Sequence, residues 1–83
     1  MKYELYTRVA LAVDLPAHRL KRSDVATVVE FHPGRPRQEP GYTLEVFTAT
    51  GETIAVVTVR EPQIEALTSA EILSARPMQS AAA

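Results

Sequence analysis

The sequence contains no cysteine and no tryptophan. The first absence removes disulfides and thiolate metal ligands together. A small domain without such staples needs a compact β-core or a partner. The lack of disulfides fits a reducing compartment, so the expected address is the cytoplasm. Glycine is scarce, at three residues, and the aromatics are only Tyr3, Tyr6, Phe31, Tyr42 and Phe47. Aliphatic side chains must therefore do most of the packing. No long apolar run exists. Val9 to Val13 is apolar but is bracketed by Arg8 and Asp14. Such a run is too short for a signal core or a bilayer span, so no membrane partner is expected. No charge of one sign dominates: nine Lys and Arg face ten Asp and Glu, for a net charge of −1. That excludes a molecule-wide basic footprint for nucleic acid.

What is present fits one small globular domain. The chain has 83 residues, 46% of them apolar, which argues against disorder. A chain of this size buries only about 60% of its unfolded surface, so its core is thin. Charge is unevenly split. Residues 1–41 hold seven basic and five acidic residues, and residues 42–83 hold two and five.

Hydrophobic alternation marks five short strands. Val9 to Val13 is the first, with Val9, Leu11, Val13 and Leu15 on one side. Leu15-Pro16 ends that run, and a polar, basic excursion follows, from His18 to Asp24, with Leu20 as its apolar anchor. Val25 to His32 is the second strand. The joint from Pro33 to Gly41 carries three prolines and two glycines, so no central strand passes through it. Tyr42 to Thr48 is the third strand and Thr53 to Val59 the fourth. Between them Ala49 to Glu52 reads as a tight turn, with Gly51 free to take positive φ. Arg60 to Gln63 reads as one turn of 3₁₀ helix, and Ile64 to Leu67 as the last strand. Thr68 and Glu71 fit a capping box, which predicts a short helix over 69–76 before Pro77. Met78 to Ala83 reads as a flexible tail. A helix this short must dock or fray. The expected core is Val9, Leu11, Val13, Leu20, Val25, Val28, Val29, Leu44, Val46, Ile54, Val57, Val59 and Ile64. Adjacent Val28 and Val29 face the same way only if the strand bends or bulges.

This order of strands and connections predicts an all-β fold, a small five-stranded SH3-like barrel over residues 1–67, with a short C-terminal helix or tail over 68–83. An OB-fold normally needs a helix where only Ala49 to Glu52 lies. Three stretches carry a further resemblance. They are Leu5-Tyr6 with Val9-Ala10-Leu11; Leu20-Lys21 with Asp24 to Glu30; and Tyr42 to Phe47 with Gly51 to Ile64. Together they resemble the small bacterial proteins of domain-of-unknown-function family 4926. The resemblance spans roughly residues 4–67 and implies an SH3-like fold without an established activity. The family pattern Gly-Asp-x-Gly-Thr-Val-Val-Glu reads Ser23-Asp24-Val25-Ala26-Thr27-Val28-Val29-Glu30 here, with both glycines replaced. A weaker likeness, over about a dozen residues, is to ribosome-associated KOW domains.

Candidate chemistry is sparse. Ser23, His18 and Asp24 supply the residue types of a hydrolytic triad, without the positioned oxyanion donor that such a site needs. His18 and His32, with Glu30 or Asp24, lack the spacing of a structural zinc site. No catalytic residue, metal or cofactor is therefore expected. Asp24 reads first as a turn residue whose carboxylate accepts backbone N–H bonds, and second as a partner contact. The candidate partner-binding residues are His18, Arg19, Lys21 and Arg22 in the excursion, and Arg35 and Arg37 in the joint. Excursion and joint at one end of the barrel would make these cations converge. Phe31, Tyr42 or Phe47 would then supply a stacking face for RNA.

The expected function is a non-catalytic protein-interaction module, with the antitoxin or immunity half of a toxin pair as one form of it. The alternative is a KOW-like RNA- or ribosome-associated module. A protein partner is favoured over nucleic acid because residues 42–83 are acidic. Free strand edges also offer a route to homo-oligomers.

Overall fold

The computed structural model describes residues 1–78. Five strands form one antiparallel sheet: β1 (Arg8–Leu11), β2 (Val25–His32), β3 (Gly41–Phe47), β4 (Thr53–Arg60) and β5 (Ile64–Ala66). The strand order is β4-β3-β2-β1-β5. Each hairpin neighbour pairs with the next, and β5 returns to lie beside β1. The five strands are those expected from the sequence, and their order is compatible with an SH3-like barrel. The sheet is not closed by hydrogen bonds, and β4 and β5 are its two edges.

The connections follow from local chemistry. Pro16 starts a 3₁₀ turn over Pro16–His18, and Arg19 ends it in the left-handed region at φ 57°. Leu15 and Leu20 pair across that turn, so the excursion is a small hairpin with Leu20 turned into the core. At the β3–β4 hairpin, Gly51 takes φ +94°, which a Cβ would disfavour although the space there is open. Pro62 sits in the 3₁₀ turn Glu61–Gln63 that leads into β5.

The core joins Val9 and Leu11 of β1, Val28 of β2, Leu44 and Val46 of β3, Val57 and Val59 of β4, and Ile64 of β5 around Leu20. Tyr42 is its largest fully buried side chain. Its ring packs edge-on against Tyr3 at 5.4 Å and tilted against Phe31 at 5.2 Å. Its hydroxyl accepts from the N–H of Lys2 (3.0 Å) and of Tyr3 (3.2 Å) and donates to Glu61 Oε2 (2.9 Å). One buried phenol thus ties the N-terminal segment to the turn before β5.

Four expected core residues need correction. Val13 is exposed because the chain leaves the sheet after Leu11. Ile54 is 44% exposed because it sits where β4 bulges against the Val46–Phe47 step. On β2, Ala26 and Val28 face the core while Val25 and Val29 are half-buried. The ladder slips at Val29, and beyond it Phe31 faces inward beside Tyr42. The bulge is present, but it restores the inward face at Phe31 without burying Val29 fully.

The helix over 69–76 does not form. The capping contact from Thr68 N–H to Glu71 Oε1 is made at 2.6 Å, and Glu71 N–H reaches Thr68 O at 3.2 Å. The turn then stops, and residues 71–78 run on without regular structure. Ile72, 95% exposed, shows why: no apolar face docks, and two turns of helix are not stable alone. The remainder of the expected tail, 79–83, lies outside the described residues.

Candidate functional site

Asp24 stands at the start of β2, where the excursion returns to the sheet. Two backbone bonds shape this corner. Leu11 N–H donates to Asp24 O (2.9 Å), and Ser23 N–H donates to Leu11 O (2.8 Å). Ser23 is forced to φ 77°. The Asp24 carboxylate is oriented by its own turn: Lys21 N–H donates to Oδ2 at 2.8 Å. The turn role read from the sequence is therefore real, and a second contact accompanies it. Arg76 grips the same carboxylate in a two-pronged pair, Nε to Oδ1 at 2.8 Å and Nη2 to Oδ2 at 2.5 Å. Arg76 Nη2 also donates to Arg19 O at 3.3 Å. Partial burial pushes the Asp24 carboxyl up. The Arg76 and Lys21 donors and the positive charge of both outweigh it and hold the group below its ordinary range.

Beside this pair lies a cleft of about 270 Å³, floored by Leu20 and Val46 and walled by Phe47, Ile54 and Met78. A separate hollow next to it, sharing Leu20, Ile54 and Arg76, is lined by His18, Arg19 and Ala55. Lys21 and Arg22 are exposed on the same excursion. Arg22 N–H is held by Asp14 Oδ1 at 2.8 Å, which leaves the guanidinium in solvent.

Arg35 and Arg37 do not join them. Arg37, with Gln38 and Glu39, lines a hollow beside Arg60, at the far end of β4 from Ile54 and Ala55. Five residues of strand separate the two places, roughly 16 Å at about 3.3 Å per residue. The joint is a closed loop, with Gln38 N–H on Arg35 O at 2.8 Å. The five cations and His18 therefore form two separate groups.

The other sequence candidates also fall apart. His32 Nε2 is 2.7 Å from Thr43 Oγ1 and 3.9 Å from Glu30 Oε1, on β2 and β3, away from His18. Among the described residues, no hydrogen bond links His18 to Ser23 or Asp24, and no cluster of three or more His, Cys, Asp or Glu forms a metal cage. Tyr42 is fully buried and Phe31 is half-buried against it, whereas Phe47, the third stacking candidate, is 40% exposed beside the cleft.

The second feature is the β4 edge. Glu61 N–H donates to Pro40 O at 3.0 Å, which sets the phase of the β3–β4 ladder. Antiparallel alternation then turns Val57 and Val59 toward β3, and the N–H and C=O of Val56 and Thr58 toward the open side. The next outward N–H, that of Arg60, is taken by Gln63 Oε1 at 2.8 Å. At the other end the bulge at Ile54 interrupts the strand. Val56 and Thr58 thus form a short open window, and the Val56 side chain is 60% exposed.

Sequence reasoning missed Arg76 and this window. A signal for the first was present: Pro77 disfavours a helical conformation at the residue before it. The second depends on strand order, which no local pattern states.

The profile of the family described as domain of unknown function (DUF4926) matches residues 5–66. The chain belongs to that family. No curated protein and no solved structure matches it.

Proposed function

We propose that this DUF4926 member is a non-catalytic protein-interaction module that takes an extended partner segment on the edge of β4. The observation that carries the reading is the Val56–Thr58 window. Its backbone groups face outward without a partner among the described residues, beside an exposed valine. Strand addition to such an edge draws affinity from main-chain hydrogen bonds and specificity from alternate side chains. The bulge at Ile54 and the Gln63 clasp on Arg60 limit the window, which keeps the edge from open-ended aggregation. A toxin neutralised by this chain is one partner of that kind. RNA binding of KOW type is less well supported, because the cations are divided and, of the three candidate stacking residues, Tyr42 is buried, Phe31 packs on it and only Phe47 is exposed.

The test is capture of host proteins by the wild-type chain and by Val56→Pro. Proline removes the outward N–H of Val56 and is tolerated on an edge. The reading expects a partner that wild type retains and the folded variant loses. Equal capture by both would move the interface off β4.

A further inference from the structure

A second feature lies at the Asp24 corner, apart from the Val56–Thr58 window. Apart from Pro77 O in the tail itself, the acceptors that meet Arg76 are both Asp24 oxygens and Arg19 O, which belong to the excursion and to the first residue before β2. They are positioned without the tail. Lys21 N–H fixes the carboxylate, Asp24 N–H closes the turn on Lys21 O at 3.0 Å, and the left-handed Arg19 sets its own carbonyl. This receptor lies inside the family match at 5–66, whereas the arginine that fills it lies outside that match.

The tail is otherwise weakly held. Among the described residues, no backbone–backbone hydrogen bond involves 72–78. Ile72, Leu73 and Met78 are 95%, 52% and 65% exposed. Clefts of about 310 and 640 Å³ remain between residues 71–76 and the sheet. One partly exposed ion pair is a modest anchor, so the segment is displaceable.

We infer that the Asp24 corner is a receptor for an extended partner segment carrying a single arginine with an apolar residue two positions on, and that Arg76 occupies it in cis as a surrogate, with Met78 at the edge of the neighbouring cleft. The bidentate fork suits arginine and not lysine. The cleft over Leu20 and Ile54, beside Met78, takes the apolar residue. The neighbouring Arg19, Lys21 and Arg22 disfavour a run of basic residues and restrict the ligand to one cation. Here the excursion cations act as a selecting rim and not as the anchor.

The probe is a synthetic peptide of residues 71–78, Glu-Ile-Leu-Ser-Ala-Arg-Pro-Met, titrated into full-length Arg76→Ala with NMR as readout. The expected result is saturable shifts at Leu20, Asp24 and Ile54. Wild type should bind the peptide at least about tenfold more weakly, because its own tail competes. Changing the peptide arginine to lysine should cost a further tenfold or more. Asp24→Asn in the Arg76→Ala background keeps an acceptor for Lys21 N–H and should lose the peptide while staying folded. No binding to folded Arg76→Ala at millimolar peptide would overturn the proposal, as would retained binding in the Asp24→Asn form. Wild type sedimenting as a dimer that Arg76→Ala dissociates would assign the corner to a second copy's tail, and would also overturn it. None of these readouts involves the Val56–Thr58 window, so failure here leaves the strand-addition reading standing.

Discussion

Tyr42 does more for this fold than its residue type announces. It is buried, it satisfies two N-terminal N–H groups, and it donates to Glu61. Tyr42→Phe keeps the ring but strands those partners, so a loss of about 1–3 kcal/mol is expected in a denaturant melt. Burial raises the phenol above its ordinary 10.0, and the Glu61 contact adds to this against the opposing Tyr3 and Lys2 N–H bonds. A raised folded value means that the stabilisation is whole below the unfolded value and is lost as pH climbs from there through the folded one. Melts across that alkaline range should show a decline in wild type that Tyr42→Phe lacks. Ser23 makes a different point. At φ 77° it carries strain that glycine at this position avoids. Ser23→Gly should stabilise the domain by up to about 1 kcal/mol, after the entropy cost of glycine is subtracted. The second replaced family glycine, Ala26, is a buried strand residue opposite Val9, so Ala26→Gly should destabilise. Opposite signs for the two substitutions in parallel melts would confirm that only the first position needs the left-handed backbone.

At the scale of elements, the joint between β2 and β3 is a surface loop with one firm attachment, Glu61 N–H on Pro40 O. Gly34 sits against the backbone of Gln38, Glu39 and Pro40, with no room for a Cβ, so the loop is closed upon itself and not upon the core. Replacing Arg35 to Glu39 by a short glycine-containing turn should keep the folded NMR spectrum and change stability by less than about 1 kcal/mol, since loop length enters only logarithmically. The strands and their connections were legible because valine-rich alternation and proline–glycine punctuation act locally. The inward face of β2 was not. Val25 and Val29 look like core residues by type, yet pairing with β1 assigns the inside to Ala26 and Val28. The tail misled for a related reason: a capping box specifies a first turn, and only a docked apolar face would have extended it. The candidate site was half legible. Asp24 and its turn could be read from the sequence, while its bond to Arg76 spans 52 residues and depends on the fold.

Over the whole molecule, the two surfaces are built from different parts of one open sheet. The Asp24 corner belongs to the excursion and the tail, and the window belongs to the middle of β4. Substitutions at sites without shared partners act additively, so Arg76→Ala should leave the β4 window unchanged. The central claim is that this window is open in the free protein. Native-state amide exchange tests it directly, because protection reports hydrogen bonding residue by residue. The amides of Val56 and Thr58 should exchange with little protection. Those of Val57 and Val59, paired with Leu44 and Tyr42 of β3, should approach the global limit. Protection of Val56 and Thr58 as strong as that of their neighbours would mean that the edge is already covered, and would contradict the account.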